Sequence, residues 1–165
     1  MTTICYIGLG ANLADPERQI DWALQALDRL PASTLDASAP RYRSRAVGPQ
    51  PQPDYLNTAA RLRTALEPLA LLRELQALEA ARGRVRGVRW GPRPLDLDIL
   101  LYGDVRLSLP ELTIPHPRMA QRNFVLAPLL DLDPQLRLPD GAAIAELLAR
   151  TGSDGIVRVC FRGAP

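Results

Sequence analysis

The sequence lacks lysine: all 20 of its lysine-or-arginine positions hold arginine. This absence excludes the Walker-type phosphate loop, which needs a lysine after its glycines, and Schiff-base catalysis, which needs a lysine amine. Positive charge at any site must therefore come from arginine or from the single histidine. The formal net charge is only +2, so whole-molecule electrostatics give no reason to expect a nucleic-acid or membrane-surface partner.

Cysteines and long apolar runs are also scarce. Cys5 and Cys160 show no metal-ligand spacing, and we expect both to be buried free thiols, as is usual in a cytosolic protein. The first residues lack the basic start and the apolar stretch of a signal peptide. No stretch reaches the ~18 apolar residues that cross a bilayer. These absences favour a cytoplasmic protein without membrane contact.

The remaining composition is typical of one globular domain. Of the 165 residues, 47% are hydrophobic and 23% are charged, which is enough for one well-buried core and short for two. The sequence shows no internal repeat, low-complexity segment or linker. We therefore expect residues 1–165 to form a single domain.

The order of predicted elements indicates an α+β fold with a ferredoxin-like β-α-β-β-α-β core. The six elements are a strand at 3–9, a helix opened by Asp15-Pro16, a strand at 34–44 with Pro40 at an edge or bulge, a strand at 55–64, a helix from Pro68, and a strand from Leu95. Gly8 and Gly10 are predicted to form a tight strand-to-helix turn, since Leu13 replaces the third glycine of a dinucleotide fingerprint. Short helices at 117–130 and 141–150 and a strand-like run at 156–161 are predicted additions.

The last strand of this core carries two acidic residues in alternation with apolar ones. Leu95, Leu97, Ile99 and Leu101 are predicted on one face, and Asp96 and Asp98 on the other. Two residues of strand span ~6.6 Å, so the carboxylates stand side by side and repel unless a cation or an arginine neutralises them. Mg²⁺ fits such a pair, because it takes one or two carboxylates and completes its shell with water and phosphate oxygens. A solvated strand face paired with arginine is the alternative.

Basic, aromatic and polar side chains from other segments could complete a nucleotide site. Four arginines just before the aspartates are suited to clamp phosphates: Arg84, Arg86, Arg89 and Arg93. His116 is held between two prolines. Tyr55, Asn57 and Phe124 could recognise a flat heterocycle, although the two aromatic rings could equally be core. Gln76 and Glu79 share a helix face that is either solvated or the wall of a nucleotide pocket.

Five segments, in this order along the chain, resemble the 6-hydroxymethyl-7,8-dihydropterin pyrophosphokinases of folate biosynthesis: 6–13, 52–57, 83–86, 89–98, and 115–119 with Arg122 and Phe124. The resemblance implies an ATP-dependent diphosphokinase that transfers a diphosphoryl group from ATP to the hydroxymethyl oxygen of the pterin and releases AMP. It also implies two Mg²⁺ ions, ATP as co-substrate, and in-line displacement at the β-phosphorus. We expect a monomer with small-molecule substrates and no nucleic-acid partner.

The resemblance further implies a role for each matching residue. Asp96 and Asp98 would hold the metal ions, and Arg84 and Arg93 would act on the phosphates as catalytic residues. The ATP-binding set would be Gln76, Glu79, Arg86, Trp90, Arg93, Ile99, Thr113, His116 and Arg122. The pterin-binding set would be Ser44, Arg45, Val47, Tyr55, Asn57, Asp96 and Phe124. Trp90 would belong to a loop that closes over the site and excludes water.

A binding module from another functional class is the alternative. A ferredoxin-like sheet with an arginine-rich loop could bind single-stranded RNA, provided that aromatic side chains are exposed on its central strands. Asp96 and Asp98 argue against this alternative, because carboxylates on that strand would repel phosphate unless a metal were bound.

Overall fold

The computed structural model describes residues 1–46, 51–83 and 94–159. Its elements, in chain order, are β1 (Thr3–Ala11), α1 (Pro16–Asp28), β2 (Ser33–Ser38), β3 (Tyr42–Ser44), β4 (Tyr55–Thr64), α2 (Pro68–Ala81), β5 (Asp96–Tyr102), β6 (Leu107–Ser108), β7 (Thr113–Ile114), a 3₁₀ turn (Met119–Gln121), α3 (Asn123–Leu132), α4 (Ile144–Thr151) and β8 (Ile156–Arg158). Within these residues, no helix combines the length and the apolar character needed to cross a membrane.

The predicted α+β core is confirmed by the sheet order. The main sheet runs β5-β1-β4, and both β2 and β3 pair with β4. Each of these pairs is antiparallel. With α1 after β1 and α2 after β4, this is the ferredoxin-like arrangement, in which the first and third core strands lie in the centre. The predicted terminal strand is β8, which pairs antiparallel with β3 and extends the sheet.

The first helix begins where its sequence signals predict. The Arg18 N–H donates to Asp15 Oδ1 at 3.5 Å, and Pro16 occupies the first turn, where no intrahelical N–H is needed. Ile20, Ala23 and Leu27 form the buried stripe. This stripe fixes which face of α1 packs on the sheet.

The turn predicted at Gly8 and Gly10 is wrong. Both glycines lie inside β1, where Gly8 pairs with Asp98 and Gly10 with Asp96 across the β1–β5 ladder. The chain turns later, at Ala14 and Asp15, which adopt φ values of 53° and 61°. Neither glycine serves a turn, and Gly8 gives space to β5, because a Cβ there would lie 3.3 Å from the Leu100 side chain.

Two predicted elements are interrupted at single residues. The strand predicted at 34–44 is split into β2 and β3 around Pro40, which cannot donate a ladder hydrogen bond. The helix predicted at 117–130 is split into the 3₁₀ turn and α3 by Arg122, whose backbone is extended at φ −113° and ψ 101°. The helix predicted at 141–150 is confirmed as α4.

A bulge in β5 corrects the predicted position of Leu101. Leu97 and Ile99 join the core as predicted, but the β1–β5 register shifts between Tyr6 and Ile7. The extra residue on β5 reverses the alternation. Tyr102 therefore packs with Leu97 and Ile99, whereas Leu101 lies in the core on the opposite face of the sheet.

Helices cover both faces of the sheet. Leu27 of α1 and Leu71 of α2 belong to the core on one face. Leu126 and Leu129 of α3 and Ile144 of α4 belong to the core on the other. Cys5 of β1 is fully buried and free, as predicted, and burial raises the pKa of its thiol to about 12. Cys160 lies outside the described residues.

Candidate active site

A cavity of about 740 Å³ lies on the sheet face that α3 covers only in part. Five segments of the chain form its wall. They are β1 (Gly8, Leu9, Gly10), the end of β3 (Ser44, Arg45), β4 (Tyr55, Asn57, Thr58), β5 (Asp96, Asp98, Leu100) and the segment 116–125 (His116, Pro117, Arg118, Gln121, Arg122, Phe124, Val125). This size suits a ligand as large as a nucleotide.

The two aspartates share one side of this cavity. Asp96 lies opposite Gly10 and Asp98 opposite Gly8 in the ladder, so no β1 side chain covers either carboxylate. The side chain of Asp98 is 39% exposed. The backbone between the two aspartates is fixed by α2, because the Leu97 N–H donates to Glu79 Oε2 at 2.9 Å. Because β5 is an edge strand of the sheet, the Glu79 carboxylate accepts the hydrogen bond that a neighbouring strand would otherwise accept.

Asn57 presents a defined polar atom at the other side of the cavity. It is 6% exposed, and its Nδ2 donates to the Tyr42 carbonyl at 3.3 Å and to Ser44 Oγ at 2.8 Å. A carbonyl oxygen can only accept, so the amide nitrogen has to face Tyr42. With both amide hydrogens used, Oδ1 is the atom left to accept from a ligand. It points toward Gly10, where a Cβ would lie 3.4 Å away.

His116 is held in one tautomer near Asp98. The Arg118 backbone N–H donates to His116 Nδ1 at 3.2 Å, so the proton of the neutral ring is on Nε2. That nitrogen lies 4.0 Å from Asp98 Oδ2. Burial lowers the pKa of His116, and the positive charge of Arg122 lowers it further. Asp96 opposes this shift, so the net effect favours a neutral ring that donates from Nε2.

Arg122 and Phe124 lie side by side at the start of α3. The Arg122 guanidinium carbon is 5.7 Å from the centroid of the Phe124 ring, within the range of a cation–π contact. Tyr55 enters the same cavity from β4. The site therefore combines carboxylates, arginine, a neutral histidine and two aromatic rings.

The structure brings together nine of the sequence-predicted site residues. These line the cavity: Ser44, Arg45, Tyr55, Asn57, Asp96, Asp98, His116, Arg122 and Phe124. Four others do not line it within the described chain: Gln76, Glu79, Ile99 and Thr113. Of these, Ile99 is 3% exposed in the core and Glu79 is 6% exposed behind β5. Five more lie outside the described residues: Val47, Arg84, Arg86, Trp90 and Arg93.

Sequence reasoning missed the floor of the cavity. Gly8 and Gly10 line it, and the signal was available, because Ile7, Leu9 and Ala11 alternate with them in a strand pattern. Arg118 and Gln121 also line the cavity, although no role was predicted for either. Arg118 lies within the same proline-rich segment as His116.

The donor set of the cavity fits Mg²⁺ better than a metal held entirely by protein. No group of three or more His, Cys, Asp or Glu side chains capable of metal binding occurs among the described residues. Two carboxylates with space above them suit Mg²⁺, which keeps several waters and takes further oxygens from substrate phosphates. Zn²⁺ sites, in contrast, normally use three or four protein ligands.

Comparison with known proteins gives consistent matches. The model of the 7,8-dihydro-6-hydroxymethylpterin-pyrophosphokinase (HPPK) family matches residues 6–134. A 2-amino-4-hydroxy-6-hydroxymethyldihydropteridine pyrophosphokinase of Pseudomonas aeruginosa is 54% identical over 154 residues, covering 93% of this chain and 95% of that protein. The Haemophilus influenzae protein of the same name is 44% identical, covering 93% and 96%.

Solved structures show the same fold at low identity. A Plasmodium falciparum HPPK-DHPS triple mutant, solved with pteroate, superposes with a TM-score of 0.74 at 13% sequence identity. The match covers 96% of this chain and 47% of that one, so the chain spans about half the length of that protein.

Proposed function

Because the chain belongs to the 7,8-dihydro-6-hydroxymethylpterin-pyrophosphokinase family, we propose that the 740 Å³ cavity is where ATP and the pterin meet. The protein is an ATP-dependent diphosphotransferase of folate biosynthesis, and it transfers the diphosphoryl group of ATP to hydroxymethyldihydropterin. The observation that carries the site assignment is the placement of the carboxylate pair and of two aromatic residues, Tyr55 and Phe124, in the lining of one cavity.

The pterin occupies the end of the cavity formed by β3, β4 and α3. Tyr55 and Phe124 stack on its ring, and Asn57 Oδ1 accepts from an N–H on the ring edge. This assignment is supported by the hydrogen bonds of the Asn57 amide nitrogen. Both of its hydrogens are donated to Tyr42 and Ser44, so Oδ1 is the atom that can bind the ligand. Four further residues complete this end: Ser44, Arg45, Val47 and Asp96.

The diphosphate lies between the aspartates and the segment 116–125. His116 Nε2–H and the Arg122 guanidinium donate to phosphate oxygens, and both side chains line the cavity. Arg84 and Arg93 add positive charge, as the resemblance implies. These groups stabilise the charge that develops during transfer, which is the main task of a phosphoryl-transfer site.

The remaining ATP contacts surround β5. We assign them to Gln76, Glu79, Arg86, Trp90, Ile99 and Thr113. Support comes from α2 and β7, which both pack against β5, the strand of the aspartate pair. Glu79 contributes by holding the Leu97 backbone between the two aspartates, rather than from inside the cavity.

Asp96 and Asp98 hold two Mg²⁺ ions in this proposal. When bound, they would neutralise phosphate charge and make the attacking hydroxyl a better nucleophile. The hydroxymethyl oxygen of the pterin bonds to the β-phosphorus of ATP. The bond between that phosphorus and the oxygen bridging it to the α-phosphorus breaks, and AMP leaves with the bridging oxygen. The hydroxyl proton goes to solvent. The protein holds the two substrates in line and neutralises the triphosphate, and this positioning supplies much of the rate enhancement.

Product analysis tests the reaction type. Incubation with ATP, Mg²⁺ and the reduced hydroxymethylpterin should yield AMP and the pterin diphosphate in equal amounts, because the β-phosphorus is the site of attack. Chromatography of the nucleotides against standards measures this ratio. Stoichiometric ADP with a pterin monophosphate would overturn the assignment.

A valine at position 10 tests the cavity floor. A Cβ there would lie 3.4 Å from Asn57 Oδ1 and 3.8 Å from Tyr55 Cδ1, which is ordinary contact, so alanine fits. The two further methyl groups of valine have to enter the pterin end, whereas valine itself suits a strand. Gly10→Val should raise the pterin KM by about tenfold or more and Gly10→Ala by much less. Equal pterin KM values for Gly10→Val and the parent would contradict this placement.

We also propose that residues 1–165 act as a single domain, as a monomer, in the cytoplasm. Small-molecule substrates suffice for the reaction, so we propose no nucleic-acid partner and no membrane contact. The alternative RNA-binding role is less favoured, because helices pack on both faces of the sheet and the cavity that stays open over β1 and β4 carries Asp96 and Asp98, which repel phosphate unless a metal is bound.

A further inference from the structure

The C-terminal segment 152–158 contacts both side walls of the pterin end of the cavity. It lies beyond residues 6–134, which the family model matches. One wall is α3, which carries Phe124, and the other is β3, which leads to Ser44 and Arg45. The segment therefore lies where it can set the distance between these walls.

Three side chains join β3, α3 and β8. The Tyr42 hydroxyl of β3 donates to Asp131 Oδ2 of α3. Arg158 of β8 donates from Nη2 to Asp131 Oδ1 at 2.5 Å and from Nε to the Tyr42 hydroxyl at 3.3 Å. The Arg158 guanidinium also lies over the Tyr42 ring, 5.7 Å from its centroid. We call Tyr42, Asp131 and Arg158 the wall triad.

The backbone reinforces the wall triad at two further points. In the β3–β8 ladder Tyr42 pairs with Arg158 and Ser44 pairs with Ile156. The Asn123 amide, at the start of α3, donates to the Gly152 carbonyl at 3.1 Å and to the Asp154 carbonyl at 2.8 Å. Segment 152–158 thus holds α3 at both ends and β3 along its length.

A movement of Tyr42 would displace Asn57 Oδ1, the atom that accepts from the ligand. The Tyr42 carbonyl and Ser44 Oγ are the two acceptors of the Asn57 amide. A shift of β3 therefore rotates Asn57 and displaces its Oδ1, while the aspartates on β5 lie on the far side of β1 and stay in place.

We propose that the wall triad positions the pterin-binding walls, with Asp131 and Arg158 as positioning residues for the pterin and not for ATP. This inference rests on the proposed function, which assigns Asn57 and Phe124 to the pterin. It gives the terminal strand β8 a role in substrate affinity in addition to its place in the sheet.

The test compares ion pairs of equal exposure. Asp131 and Arg158 have side chains 21% and 52% exposed, and Asp36 and Arg63, which pair between β2 and β4, are 19% and 50% exposed. Asp131→Asn and Arg158→Gln should each raise the pterin KM about fivefold, since a misplaced hydrogen-bond acceptor loses most of its interaction. Their ATP KM and melting temperature should change no more than those of the control Asp36→Asn.

A merely structural role would lower the melting temperature and leave the pterin KM within about twofold of the parent value, which would overturn the proposal. Equal increases in both KM values would also overturn it. Amide hydrogen exchange of residues 42–46, measured without substrate, gives a readout independent of activity. Exchange should be faster in both triad variants and unchanged in Asp36→Asn, and unchanged exchange in the triad variants would contradict the inference. A parent protein that forms no AMP would contradict the proposed function, whereas the exchange result would still decide this inference.

Discussion

Asp96→Asn and Asp98→Asn should each reduce turnover by about a thousandfold or more without loss of stability in the absence of metal. Each change removes one carboxylate ligand and keeps the side-chain volume. Turnover falls because metal positioning and charge neutralisation supply much of the barrier reduction in phosphoryl transfer. A coupled AMP assay measures this loss.

The thermal stability of the two variants without metal should stay the same or increase, although their turnover falls. The aspartates lie two residues apart on β5 with only glycine opposite them on β1, so their carboxylates share one side of the cavity. Removing one charge relieves repulsion across ~6.6 Å, and functional sites commonly sacrifice stability in this way. Thermal melts in EDTA should place both variants at or above the parent.

Asp104→Asn is the matched control for charge. Asp104 is exposed in the turn after β5 and is absent from the cavity lining, so its loss should change neither turnover nor melting by much. If Asp96→Asn and Asp98→Asn both melt well below the parent yet turn over normally, the aspartates are structural partners of the arginines, and the metal assignment is wrong.

Asn57→Asp should damage both folding and pterin binding. The carboxylate would face the Tyr42 carbonyl, an acceptor, at a position only 6% exposed. The hydrogen bond to the Tyr42 carbonyl is lost and a buried charge is left beside that acceptor, whereas the Ser44 hydroxyl can turn to donate to the carboxylate; the net cost is about 2–4 kcal/mol of the free energy of unfolding. The pterin KM should rise in parallel, because Oδ1 loses its fixed orientation.

The pH dependence of this variant identifies the cause. Burial and the facing carbonyl raise the pKa of the carboxyl introduced by Asn57→Asp in the folded state, above its unfolded value of about 3.9. The folded state then binds more protons than the unfolded state, so stability falls as pH rises from that value through the folded pKa. Urea melts at pH 5 and pH 8 should therefore show a larger loss, relative to the parent, at pH 8.

Asn123→Asp is the stability control for this experiment. The Asn123 amide also donates to two carbonyls, but the residue is only partly buried and opens α3, where a negative charge is favourable. The Asn123→Asp variant loses both hydrogen bonds and should therefore melt below the parent, but the loss should be smaller than that of Asn57→Asp and nearly equal at pH 5 and pH 8, because solvent screens the new charge. An Asn57→Asp protein that melts like the parent at both pH values would contradict the orientation assigned to the Asn57 amide.

The candidate site could be predicted in part because its motifs are local. The alternation around Asp96 and Asp98 places two carboxylates on one strand face, and this holds in the structure up to the bulge. The prolines around His116 and the spacing to Arg122 and Phe124 form one continuous segment. Such features need only the period of a strand or the stiffness of a short loop.

The sequence by itself determined the first two helices, the main strands and the family. The Asp15-Pro16 start and the stripe of Ile20, Ala23 and Leu27 define α1 through hydrogen bonds and periodicity within one segment. Helix α2 also begins at the predicted Pro68. Because these signals act between residues close in the chain, they can be read without knowing what packs against them.

Only the tertiary structure decided the register and the polar orientation of the site. The bulge that moves Leu101 to the other core depends on how β1 pairs with β5. The Asn57 orientation depends on a carbonyl 15 residues away, and the Asp131–Arg158 pair joins residues 27 apart. Such contacts are set by strand pairing and packing between distant segments, and no local period encodes them.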